Sequence, residues 1–238
     1  MTNFFDAGIL HLLNGFAQRS ECFDKLILFV QGDGFQKGGV VMVLLWWVWF
    51  QPGNDIQERR EKLICTMLIS PFALGLARLI SFLAPFRMRP IHNPELQMRL
   101  AYGVNSQTLI NWNSFPSDHA VLFFTFAAGL FCVSRKVGAI ALAYVTLFIG
   151  IPRIYLGFHY PTDILAGALL GAGAAYVATL SWSRIWIGAR TLQWMERSPG
   201  AFYACFFISS YQVANAFGWA RDVVASAQRF VPVLLAHR

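Results

Sequence analysis

Long apolar runs, joined by polar connections, limit what this chain can fold into. They are Gly38–Phe50, Leu63–Leu83 (interrupted by Arg78), Ser117–Ser134 (with Asp118 and His119 at its start), Val137–Tyr155 (with Arg153 near its end), Ile164–Trp182 and Pro199–Trp219. Charged residues make up 13% of the chain, where a soluble domain carries about 25%. Such runs cannot all be hidden from water in one small core. A lipid environment suits them, because a helix satisfies its own backbone polar groups there. Several runs fall short of the ~20 residues a span needs. The missing length would come from polar residues at one end of each run, sheltered inside the protein. The expected fold is all-α, a polytopic membrane bundle of about six transmembrane helices.

The chain reads as one integral-membrane domain, residues 1–238. An amphipathic, interfacial N-terminal segment covers 1–34, the bundle 35–219, and an amphipathic tail 220–238. Eight tryptophans, several of them in the Trp46-Trp47-Val48-Trp49 belt, suit a membrane boundary. The net charge of +7 does not read as a nucleic-acid surface, because no basic stripe with interleaved aromatics lies on a polar face. Arg59, Arg60, Lys62, Arg135, Lys136, Arg184, Arg190 and Arg197 instead sit in connections expected at 51–62, 135–136 and 183–198. By the positive-inside rule those connections are cytoplasmic. The 85–116 loop and the 153–163 turn then share the external side. Cys22, Cys65, Cys132 and Cys205 show neither disulfide nor metal spacing. The N-terminus lacks the pattern of a secretory signal.

Three polar clusters interrupt this apolar background, and all three fall on the external side. Arg78, Arg87 and Arg89 close the second run. Pro85 should end that helix and leave Arg87 and Arg89 in the loop. Arg87 fits an interfacial side chain as well as a functional one. In the second cluster, Pro116-Ser117-Asp118-His119 starts a helix whose free N–H groups suit a phosphate. Ser117 adds a hydroxyl and His119 an acid, while Asp118 is expected to point away from an anion. Arg153, His159 and Asp163 form the third cluster. If Pro161 opens a helix, the four-residue spacing puts His159 and Asp163 on one face. An aspartate on one imidazole nitrogen would leave the other free to attack phosphorus.

These motifs resemble the type 2 phosphatidic acid phosphatase superfamily. Arg89-Pro90, Pro116-Ser117-x-His119 and Arg153-x5-His159-x3-Asp163 match its Lys-x6-Arg-Pro, Pro-Ser-Gly-His and Arg-x5-His-x3-Asp patterns in order and spacing. The resemblance covers about residues 60–180. It implies that His159 is phosphorylated, Asp163 orients it and His119 is the general acid. Arg89, Arg153 and Ser117 would hold phosphate. No metal and no cofactor is implied. Phe82 stands at the family lysine position, so Arg78 or Arg87 would replace that lysine. Asp118 stands for the family glycine, and Pro152 for the serine before the arginine. The Phe-Pro-Ser-Asp-His form resembles the bacterial undecaprenyl-diphosphate phosphatases. The implied partners are a lipid phosphate substrate and the bilayer of a bacterial cytoplasmic membrane, with the site facing outward. Phosphatidylglycerophosphate, phosphatidic acid or a lipid A phosphate would fit the same site. An anion transporter or lipid-binding protein would not need His159 and Asp163 together.

Overall fold

In the computed structural model, residues 3–32 and 34–218 are described, and among them every regular element is helical. Two short helices, α1 (Phe4–Asn14) and α2 (Glu21–Gly32), precede the bundle. A π-helical turn, Phe35–Gly39, leads into α3, Val40–Phe50. The 28-residue α4 (Ile56–Leu83) runs from the basic end of the bundle to the opposite end. A long loop with two 3-10 turns, Pro90–His92 and Pro94–Leu96, then leads to α5, Asp118–Val133.

α6 (Arg135–Tyr144) continues through a π segment, Val145–Gly150, into α7, Ile151–Tyr155. α8 spans Pro161–Thr179. The short α9 (Ser181–Ser183) and a π turn, Arg184–Gly188, lead to α10, Ala189–Arg197. α11 is Pro199–Ala214. Ile56–Leu83, Arg135–Tyr155 and Pro161–Thr179 are long and apolar enough to cross a membrane, and Phe35–Phe50 and Asp118–Val133 are shorter apolar helices. With α11 they form the six-helix layout expected. The expected tail, 220–238, and Trp219 lie outside the described residues.

Two expected connections are helical instead. The polar stretch 51–62 is a loop only as far as Asp55, and 184–197 is helical throughout. Hydropathy marks where lipid ends, not where a helix ends. Residues 56–62 are too charged for lipid, yet Lys62–Glu58 at 2.9 Å and Arg59–Asp55 at 3.2 Å support the first turns of α4. Arg184 reaches Glu58 at 2.9 Å and Glu61 at 3.3 Å, which gathers these connections at one end of the bundle. Pro71, inside α4, cannot donate to Met67, and the Ser70 hydroxyl bonds the Met67 carbonyl instead at 2.8 Å.

The main core joins α3, α4, α5, α6 and α11. Trp49, Phe123, Phe126, Phe202 and Phe206 are all buried in it. α5 and α8 approach more closely than side chains would allow. A Cβ on Gly171 would lie 2.6 Å from the Val121 carbonyl oxygen, and one on Gly167 would lie 2.7 Å from the Ser117 carbonyl oxygen. The Gly/Ala-rich sequence of α8 therefore permits this close helix contact. This seam carries the polar ends of both helices to the same place.

Candidate active site

Backbone bonds at the start of the seam tie the second and third motifs together. Ser117 N–H donates to the Asp163 carbonyl at 3.2 Å, and Ser114 Oγ donates to the Asp163 carboxylate at 2.5 Å. Ser114 N–H also bonds the Arg87 carbonyl at 3.0 Å, which brings in the first motif. The chain turns at Gly157, whose φ of +72° favours glycine. A Cβ there would meet Ile91 and Met98 at 3.1 Å. Beyond the turn, Phe158 and His159 N–H groups both fold back onto the Arg153 carbonyl, at 2.9 and 3.3 Å. Arg153 and His159 are thereby held side by side.

A cavity of about 330 Å³ opens here. Its walls include Arg78, Arg89, Trp112, Asp118, His119, Arg153, Phe158 and His159. Both candidate histidines and three arginines thus meet in one space, although they come from four separate parts of the chain.

The partners of His159 define its tautomer. Nδ1 lies 2.9 Å from the Ser114 carbonyl, which can only accept, so Nδ1 carries the proton. Nε2 lies 3.1 Å from Arg89 Nη1, which can only donate, so Nε2 presents its lone pair. The ring is 1% exposed. Burial pushes its pKa down to about 4; Arg89 and Arg153 add to the shift, and Asp163 opposes it. His159 is therefore a neutral imidazole in the cavity wall, with its unprotonated Nε2 beside Arg89.

Asp163 does not take the hydrogen bond expected of it. Its carboxylate stands 3.8 Å from Nδ1, within ion-pair range but too far for a hydrogen bond. The four-residue rule holds only inside a helix, and His159 precedes α8. Asp163 lies at the third helical position and accepts the Tyr160 N–H at 2.9 Å as a cap. It reaches His159 through Ser114, whose hydroxyl it binds and whose carbonyl holds Nδ1.

The three candidate arginines of the first motif take different roles. Arg89 is buried, and its guanidinium donates to the carbonyls of Phe158 (2.5 Å), Asn113 (3.1 Å) and Trp112 (3.2 Å). Burial lowers its pKa to about 10, with Asp118 and Asp163 opposing, so it stays cationic at neutral pH. Arg78 crosses from α4 to pair with Asp118 at 2.5 Å and stacks over Trp112. Phe82, at the family lysine position, is 84% exposed and faces away. Arg87 is not in the cavity wall. It binds Asp6 at 2.7 Å and Asp163 at 2.5 Å, behind His159. Ser117 is fully buried as the cap of α5, accepting from Ala120 N–H at 3.4 Å, and is not in the cavity wall either. The positive end of α8 is likewise taken, since Thr162 N–H donates to Asp6 at 2.9 Å.

Asp118, expected to point away, lies in the cavity wall. It accepts from His119 Nδ1 and from the His119 backbone N–H, both at 2.9 Å. Arg78 offsets the charge that made this residue look unsuitable. An orienting acid therefore sits on His119, one residue before it in sequence. Its only sequence signal was the replacement of the family glycine. Ser114 carried no signal: any residue offers a carbonyl, and the partner of its hydroxyl, Asp163, lies 49 positions away. Asp118→Ala should lower kcat for phosphate release by roughly ten- to a hundredfold, within the range a positioned proton donor supplies. A kcat within twofold of the parent would mean that His119 needs no orientation.

The fold and cavity define a polytopic helical membrane protein with a cavity lined by histidines and arginines at one end of its bundle. Residues 62–187 match the PAP2 superfamily, so the chain belongs to that family. It is 48% identical over 63 residues to the bacitracin transport permease protein BcrC of Bacillus licheniformis, covering 26% of this chain and 30% of that one. It is 39% identical over 101 residues to a lipid A 4'-phosphatase of Bacteroides thetaiotaomicron, covering 38% and 41%. It is 22% identical over 162 residues to the undecaprenyl-diphosphatase BcrC of Bacillus subtilis, covering 68% and 76%. The first two matches thus span less than half of the relatives' own lengths.

Proposed function

We propose that this protein is a membrane phosphatase acting on a lipid diphosphate through a phosphohistidine, with undecaprenyl diphosphate as the leading substrate. The observation that carries this reading is the cavity itself, whose walls bring a neutral imidazole, its Nε2 3.1 Å from Arg89, together with Arg78 and Arg153. Three guanidinium groups suit a diphosphate better than a single phosphoryl group. Names of relatives support the prenyl lipid, and the basic residues at the far end of the bundle support an outward-facing site.

His159 Nε2 forms the N–P bond as the P–O bond to the lipid phosphate breaks. His119 gives its proton to the leaving oxygen, and Asp118 stabilises the His119 cation before that transfer. Arg78, Arg89 and Arg153 hold the charge on the transferred group. Water, deprotonated by His119, then attacks phosphorus. Inorganic phosphate leaves and His159 returns to its neutral form. Asp163 and Ser114 keep the His159 proton on Nδ1 throughout.

Detergent-purified protein should release phosphate from undecaprenyl diphosphate with EDTA present, and faster than from phosphatidylglycerophosphate. Release from the glycerolipid alone would keep the mechanism and change the substrate. No release from any of a panel of lipid phosphates would overturn the enzymatic reading in favour of anion binding or transport.

A further inference from the structure

α1 carries a fully buried carboxylate, Asp6, on a helix whose other side is apolar and exposed. Phe4 is 94% exposed and Leu12 66%. The buried stripe is Asp6, Leu10 and Asn14, each four residues after the last. An unpaired carboxylate in that setting would be costly, so its partners matter. Arg87 Nη2 donates to it at 2.7 Å, Thr162 Oγ1 at 2.7 Å, Thr162 N–H at 2.9 Å and Asn3 Nδ2 at 3.1 Å. Four donors converge on its two oxygens. Asp6 lies well outside the segment 62–187 that defines the family.

Arg87 bridges from Asp6 to the site. Its Nη1 binds Asp163 Oδ1 at 2.5 Å and Thr162 Oγ1 at 2.9 Å, and its guanidinium lies 3.8 Å from the centre of the Tyr160 ring. Asp163 in turn holds Ser114, whose carbonyl holds His159 Nδ1. A continuous polar chain therefore runs from the N-terminal helix to the back of the candidate nucleophile.

We propose that Asp6 is a positioning residue for the phosphoryl-transfer step, and this rests on the phosphohistidine reading above. Asp6 balances Arg87, which leaves the charge of Asp163 to act on His159. Two carboxylates and one guanidinium give a net charge of −1 behind the ring. When Nε2 takes the phosphoryl group, positive charge develops on the imidazole, and that net charge stabilises it. Without Asp6, Arg87 neutralises Asp163 and the stabilisation is lost. Arg78, Arg89 and Arg153 bind the ground-state phosphate from the other side and do not depend on this group.

Asp6→Asn is nearly isosteric and keeps an oxygen for Thr162 N–H. It should lower kcat by about tenfold, as expected for one charge acting at moderate distance through protein, and leave KM nearly unchanged. The double variant Asp6→Asn with Arg87→Gln restores a net −1 and should recover kcat relative to Asp6→Asn alone. A purely structural latch predicts the reverse, with the double variant at least as impaired. An unchanged kcat in Asp6→Asn, a loss carried mainly by KM, or no recovery in the double variant would each overturn the proposal. If Asp6→Asn alone does not fold, the double variant is read against the parent, since it keeps the net −1: a kcat within a few-fold of the parent supports the proposal, and a tenfold or larger loss at unchanged KM overturns it. Parent protein without turnover would overturn the phosphatase reading instead, so the two failures are distinguishable.

Discussion

His159→Ala is expected to abolish phosphate release, a loss of about 10³-fold or more, because the proposed phosphohistidine could no longer form. The protein should still fold. The substitution leaves Arg89 bonded to three carbonyls and Asp163 bonded to Ser114, Tyr160 and Arg87, so no buried charge loses its last partner. Phosphate release and thermal unfolding in detergent test the two halves. Loss of activity together with loss of fold would leave the nucleophile to be tested by His159→Gln. Retained turnover in a folded variant would sink the assignment.

The same residue sets an acid limit. Its pKa of about 4, against an ordinary 6.5, keeps the nucleophile neutral well below pH 6. The His159 contribution to the acid limb of kcat/KM should therefore fall near pH 4 and not near 6.5. Stability follows the same sign. Between pH 6.5 and 4 the unfolded chain binds a proton that folded His159 does not, so this residue makes the fold less stable as pH falls through that window. An acid limb that stays at 6.5 after correction for the ionisation of the substrate would mean that the ring is more hydrated than its burial indicates.

The second large effect is expected at the helix seam. Gly171→Leu should prevent α5 and α8 from packing and give little folded protein. The added Cβ alone would lie 2.6 Å from Val121 O and 2.8 Å from Thr125 N, and backbone atoms of a helix cannot step aside. Gly173, two residues on, meets nothing within 4 Å, so Gly173→Leu is the matched control and should fold normally. The milder Gly171→Ala should cost about 1–3 kcal/mol by overpacking. It should also reduce turnover, because α5 carries His119 and the start of α8 carries Asp163. Unfolding temperature and yield in detergent separate the variants. Equal behaviour of the two leucine variants would show that the seam tolerates widening.

The local motifs were readable from residue order and spacing. Apolar runs separated by polar connections specify helices in lipid, and small residues in α8 specify close packing. Arg89, Arg153, His119 and His159 reach one cavity because each lies at the polar end of a run. Three-dimensional packing decided the rest. Arg78 and Arg87 look alike in sequence, yet one meets Asp118 and the other is caught between Asp6 and Asp163. Asp118 looked repulsive until a guanidinium from α4 was placed against it.

The chain's own order of residues thus determined its helices, its membrane character and the chemical groups available for phosphate. Local periodicity and polarity act within one run and need no partner. Tertiary structure alone decided which charges pair, which tautomer His159 adopts and that the N-terminal helix joins the site. Those outcomes depend on contacts between residues as far apart as Asp6 and Thr162, 156 positions in sequence. The energy of a buried charge is set by whichever groups the fold brings within about 3 Å of it, and sequence spacing carries no record of that distance.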